Sequence, residues 1–138
     1  QIEKPGNLGT MIRTAKSLGV ENVFCSDEIT DFYNPNVIRA SIGHMFTMNL
    51  ISDTTSNIID LLNINSYQII LMDPDSEYLL KDFKAKENFA LVIGSEQYGI
   101  SDKWLNTDCV KLKIESLNDV DSINASTAAA ISMWELLR

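Results

Sequence analysis

A single histidine, two cysteines and no long apolar run remove several classes of function before any motif is read. His44 stands beside a predicted helix stop, with no nucleophile or metal partner near it in the sequence, and is read as structural. Cys25 and Cys109 lie in separate predicted strands without CxxC or Cys/His spacing, so they read as reduced core thiols and no metal site is expected. No apolar stretch is long enough to cross a bilayer and no basic-then-apolar leader is present, so the expected location is the cytoplasm, away from membranes. Basic residues are also scarce: 11 Lys and Arg stand against 19 Asp and Glu, a net charge of −8. That balance opposes broad, nonspecific binding to a polyanion and leaves room only for a local basic patch or a basic module upstream. Two nucleotide signatures are missing as well. Gly94-Ser-Glu-Gln-Tyr-Gly99 has the glycine spacing of a phosphate loop, but Ile100-Ser101 follows where Lys-Ser/Thr is needed, and no G-x-G-x-x-G follows the first strand.

What is present is the composition of a globular protein, 45% hydrophobic and 22% charged, in 138 residues that suit one domain. The chain starts at Gln1-Ile-Glu-Lys-Pro5, and a strand or a substrate-binding extension is expected ahead of it. Its most distinctive stretch is the last. A polar loop containing Ser122 and Asn124, both good N-cap types, runs into a helix dominated by Ala128, Ala129, Ala130, Ile131, Met133, Trp134, Leu136 and Leu137. Ser132, Glu135 and Arg138 form its polar stripe. Such a helix is expected to be buried on more than one side, against its own core and a second subunit.

Upstream, Pro5-Gly6-Asn7 reads as a turn, and Leu8, Met11, Ile12, Ala15 and Leu18 recur at helical spacing until Gly19, with Arg13 off the stripe. Val20 to Ser26 reads as a strand. Asn34-Pro35 opens a second helix that stops at Gly43, and Phe46 to Ile51 reads as the next strand. A helix around Ile58 to Leu62 precedes Ile69-Ile-Leu-Met72, whose unbroken apolar run fits a strand buried on both faces. Ala90-Leu-Val-Ile93 reads the same way. A short helix around Lys103 to Leu105, a strand over Val110 to Ile114 and the terminal helix complete the chain. Alternating strands and helices without repeats predict an α/β protein, a parallel sheet with helices on both faces. Ligands then gather at the carboxyl ends of strands, where the loops at Met72 to Ser76, Gly94 to Gly99 and Glu115 to Asn124 fall.

Three segments, in order, carry a resemblance. Asn7-x-Gly9-x-x-x-Arg13, Gly94-x-Glu96-x-x-Gly99 and Ser122-x-Asn124 ahead of an alanine-rich helix resemble the three motifs of the SpoU/TrmH family. Tyr33-Asn-Pro-Asn-Val-Ile-Arg-Ala-Ser-Ile-Gly43 is similar to the segment following the first motif. The resemblance implies an RNA ribose 2′-O-methyltransferase using S-adenosylmethionine, with a SPOUT fold whose C-terminal chain threads a deep trefoil knot. It implies a homodimer acting on ribosomal or transfer RNA, and the Pro-Gly-Asn-Leu-Gly form of the first motif looks more like the ribosomal branch.

By motif position the cofactor would be held at Gly94, Ile114 and Ile123. Arg13 would activate the ribose hydroxyl or contact phosphate, and Asn7, Glu96, Ser122 and Asn124 would shape the site. Arg39 is a further candidate for RNA phosphate. Glu96 could instead cap the short helix after it, and Asp73 and Asp75 could satisfy loop N–H groups. Two positions depart from the pattern: Glu115 follows Ile114 where proline is usual, and Ile123 stands where leucine is common. The alternative is a catalytically silent relative, a knotted dimerisation or RNA-binding module.

Overall fold

The computed structural model describes residues 2–28, 30–117 and 123–138. Five helices and five strands are named within them. Helix α1 (Pro5–Ser17) begins earlier than its apolar stripe suggests, with proline in its first turn, where a missing N–H costs nothing. Pro5-Gly6-Asn7 is therefore helix and not a separate turn. Strand β1 (Asn22–Ser26) follows, then α2 (Pro35–Ser41), capped by the Asn34 side chain accepting from the N–H of Asn36.

After α2 the structure departs from the expected strand. Ile42 and Gly43 both take left-handed conformations, with φ of 51° and 74°, and His44–Thr47 form a 3-10 turn. Phe46 lies in that turn, 65% exposed, and β2 (Asn49–Asp53) starts three residues later. An apolar phenylalanine imitated the start of a strand that the chain had not yet reached. The remaining elements are α3 (Thr55–Ile64), β3 (Gln68–Met72), β4 (Phe89–Ile93), α4 (Asp102–Leu105), β5 (Val110–Leu112) and α5 (Ala125–Leu137).

All pairings between these strands are parallel, but they form two sheets: β1 with β2, and β4-β3-β5 with β3 in the centre. Alternate residues of β3 serve opposite faces, as a pleated strand requires. Ile69 and Leu71 pack with Ile58 and Leu62 of α3 and Trp104 of α4. Ile70 and Met72 pack with Leu112 and with Leu136 of α5. Ile69, Ile70 and Leu71 are at most 2% exposed, which bears out the two-sided burial read from their unbroken run.

Beside this layer, α1, α2 and the 3-10 turn cover β1 and β2 through Leu8, Ile12, Val37 and Met45. Gly9 sits at their closest approach: a Cβ there would lie 2.5 Å from the Ala40 Cβ and 2.6 Å from the Val37 carbonyl oxygen. The second glycine of the first segment is thus a packing requirement between two helices.

Helix α5 corrects one expectation. Ser132, assigned to a polar stripe, is fully buried with its hydroxyl unpartnered among the described residues. Ala129 and Met133 are buried with it, whereas Ile131, Trp134 and Leu137 are 41%, 61% and 45% exposed. One apolar face meets the core, and a second faces outward.

Candidate functional site

The loops after β3, β4 and β5 lie at one end of the three-stranded sheet, because the strands are parallel and adjacent. The loop after β4 closes on itself: Ser95 and Gly99 exchange backbone hydrogen bonds of 2.9 and 3.0 Å, and Gly99 has φ 67°. A Cβ on Gly94 would sit 2.6 Å from the Gly99 carbonyl carbon, so only glycine lets the loop fold back this tightly. The short loop holds Glu96 out at its tip.

Glu96 is the centre of a four-residue cluster. Its Oε1 accepts from Asn7 Nδ2 at 3.0 Å, from Asn124 Nδ2 at 2.7 Å and from the Ala125 N–H at 3.4 Å. Lys4 Nζ donates to its Oε2. Asn124 also donates to Asn7 Oδ1 at 3.1 Å, and its own Oδ1 accepts from the N–H groups of Ser126 and Thr127, capping α5. A carboxylate at a helix N-terminus is favoured by the orphan N–H groups there. The Lys4 ammonium and the Asn7 amide, with help from the Ala125 N–H, hold the Glu96 carboxyl below its usual range against the opposing effect of burial. The same contact raises Lys4.

Glu96 therefore caps α5 and not α4, the short helix after it; α4 has Ser101 at its N-cap position. Asn7, Glu96 and Asn124, separated by up to 117 positions, meet side chain to side chain. Lys4 was missed in the sequence, where nothing marks it except its position three residues before Asn7.

Arg13 and Arg39 are exposed on α1 and α2 and join this cluster by no hydrogen bond or ion pair among the described residues. Arg13 lies six residues beyond Asn7, more than one turn further along α1. Ile114 is half-buried beside the α5 side of the sheet, and Ile123 is 43% exposed just ahead of Asn124. Ser122 lies outside the described residues.

Glu115, in place of a proline, pairs with Lys81 at 2.6 Å, so its charge is directed to the turn after β3. Asp73 accepts from the Asp75 N–H at 3.0 Å, the loop-satisfying role expected of it. Among the described residues no cluster of metal-ligating side chains occurs, and no helix is long and apolar enough to cross a membrane.

Known proteins resemble the chain over nearly its whole length. The SpoU rRNA Methylase family matches residues 1–134. The 23S rRNA (guanosine(2553)-2′-O)-methyltransferase RlmP of Bacillus subtilis is 27% identical over 98% of this chain and 54% of its own length. A protein of Staphylococcus epidermidis named for the TrmH family of tRNA/rRNA methyltransferases is 32% identical over 99% of this chain and 55% of its own. Among solved structures, an RNA 2′-O ribose methyltransferase superposes with a TM-score of 0.88 at 30% identity, covering 97% of this chain and 52% of that one. The AviRb methyltransferase of Streptomyces viridochromogenes, solved with AdoMet, shares the fold at a TM-score of 0.92 and 24% identity, covering 99% and 54%. The chain spans about half the length of the curated relatives it matches. With one residue of each motif segment brought to one junction and the family matched over residues 1–134, this chain belongs to the SpoU rRNA methylase family.

Proposed function

We propose that the protein transfers a methyl group from S-adenosylmethionine to a ribose 2′-hydroxyl of RNA, ribosomal in preference to transfer RNA. The observation that carries this reading is the junction at Glu96, which joins one residue from each of the three motif segments: Asn7, Glu96 and Asn124. In this reading residues 1–138 form one catalytic domain of SPOUT type, knotted at its C-terminal end, dimeric, free of metal and cytoplasmic. The outward apolar face of α5, with Trp134 61% exposed, supports dimerisation.

The loops suit the cofactor. Gly94 and Gly99 present bare main chain, and Ile114 and Ile123 add apolar surface on which a flat adenine can rest. When bound, S-adenosylmethionine supplies a methyl on a positively charged sulfur that departs as a neutral thioether without acid help. Arg13 holds RNA phosphate and stabilises negative charge on the 2′-oxygen as its proton passes to solvent water; a guanidinium is always charged and a poor base. Arg39 contacts phosphate further along the strand. Asn7, Glu96 and Asn124 fix the loops against α1, so that hydroxyl and methyl meet in line.

Calorimetric titration with S-adenosylmethionine tests the cofactor, and Ile123→Arg should abolish the heat by filling the pocket. Arg13→Ala should then retain cofactor binding but lose about 100-fold or more in methyl transfer to ribosomal RNA. No binding by a folded dimer would sink the enzymatic reading. It would favour a silent dimerisation module, which the outward face of α5 and the net charge of −8 also suit.

A further inference from the structure

A net charge of −8 repels RNA from most of this surface, but one region carries no carboxylate at all. No Asp or Glu occurs from Lys4 to Val20 or from Phe32 to Ser52, the two stretches that hold α1, α2 and the 3-10 turn. These elements lie side by side. Gly9 of α1 packs against Val37 and Ala40 of α2, and further along the Lys16 ammonium donates to the Thr47 carbonyl at 3.0 Å. Their inner sides fill the core with Leu8, Ile12, Val37 and Met45, which leaves Arg13, Lys16 and Arg39 exposed on the outer one.

The same outer side carries an apolar step that the core does not use. Ile42 is 59% exposed and Phe46 65%. Val37, Ser41 and Met45, spaced four apart, mark the buried side of α2 and of the turn that continues it; Arg39, Ile42 and Phe46 mark the exposed side. The backbone at Ile42 is strained: its φ of 51° is a left-handed conformation that a β-branched residue rarely adopts. Strain that gains no burial points to a use outside the core.

We propose that this face binds an unpaired stretch of RNA, with one base stacked on the Phe46 ring against Ile42 and neighbouring phosphates held by Arg39 and Arg13. The proposal rests on RNA being the substrate, and adds a path for the strand along α2 and a stacking site on it. An aromatic ring takes any base, since every base has a π face, and a guanidinium suits phosphate. A duplex keeps its bases inside its own stack and cannot use the ring. Ile42 and Phe46 alone would suit a protein partner equally well. Three cations with no carboxylate among them favour a polyanion.

The test is fluorescence anisotropy of the complete polypeptide with two labelled probes, a single-stranded oligouridylate of about ten nucleotides and a blunt RNA duplex. S-adenosylmethionine is left out, so that methyl transfer plays no part. Phe46→Ala should unfold at the wild-type urea concentration and bind the single strand about 10-fold more weakly, with the duplex and the salt dependence unchanged. Phe46→Trp should restore the affinity. Arg39→Gln should instead lower the slope of log affinity against log salt by about 0.7 for the single strand. Ile42→Gly, which relieves the strained φ, should lose no stability yet weaken the single strand.

Equal affinity of wild type and Phe46→Ala for the single strand would overturn the proposal and leave RNA as the substrate. A folded wild type that binds neither probe would overturn the substrate reading itself, and the stacking site with it. Should Phe46→Ala instead halve the mass seen by light scattering, the step belongs to a second copy and the proposal falls.

Discussion

The two sheets differ in how completely they are built, and the site spans both. β3 has neighbours on each side and helices on each face, and its residues from Ile69 to Met72 are all buried. β2 has one neighbour, and every residue of it except Leu50 is exposed. The loops carrying Glu96 and Asn124 grow from the three-stranded sheet or follow it, whereas Asn7 and Arg13 belong to α1, which covers the two-stranded one. Those loops are thus set against a helix that packs on α2 and α5 as well as on β1 and β2. The Glu96 cluster is one of the joints between the two halves, together with the packing of α1 against α5 through Ala15, Ala129 and Met133.

The sharpest way to break this contrast is to remove matched side chains from each half. Leu71→Ala, fully buried in β3, should cost about 3–5 kcal/mol in urea unfolding, whereas Leu50→Ala in β2 should cost about 1–2 kcal/mol. Equal losses would mean that the halves are equally consolidated.

Glycine substitutions come next. Gly9→Ala should cost about 1–3 kcal/mol by forcing α1 from α2, and its effect should fall on stability. Gly94→Ala, whose Cβ would meet the Gly99 backbone, should lose a similar amount but also abolish S-adenosylmethionine binding in calorimetry.

The junction itself should appear in the pH dependence of unfolding. The Glu96 carboxyl is held below the ordinary value of 4.5, so its contribution is present above that pH and is lost as pH falls through the lower folded value. The Lys4 ammonium is raised above 10.5, so its contribution is present below that pH and is lost as pH rises through the folded value. Glu96→Gln should therefore flatten both limbs of the stability profile; unchanged limbs would assign the pH dependence elsewhere.

The smallest effect on stability should come from Trp134→Glu. On the outward face of α5 it should change unfolding by about 0.5 kcal/mol or less, yet convert the proposed dimer into a monomer by light scattering. A loss of stability as large as that from a buried residue would show that the side chain is part of the monomer core.

Much of this was legible in order along the chain. The unbroken run Ile69 to Met72 announced a doubly buried strand, and Asn124 ahead of an alanine-rich helix announced its cap. The errors have local causes. Phe46 looked like a strand residue because apolarity does not distinguish a 3-10 turn from a strand start. Ser132 looked like solvent-facing surface because its hydroxyl is polar, although the helix turns it into a fully buried position.

The sequence by itself determined what depends on neighbours a few residues apart: helix caps, periodicity, the glycine turns and the three motif segments. Tertiary structure alone decided the strand order β4-β3-β5, the division into two sheets and the choice of Lys4 and Asn7 as partners of Glu96. The physical reason is distance along the chain. Lys4 and Glu96 are 92 positions apart, and no local preference of either residue encodes the other. Their meeting follows only after apolar burial has stacked α1 and α5 and brought the loop after β4 against both helix N-termini.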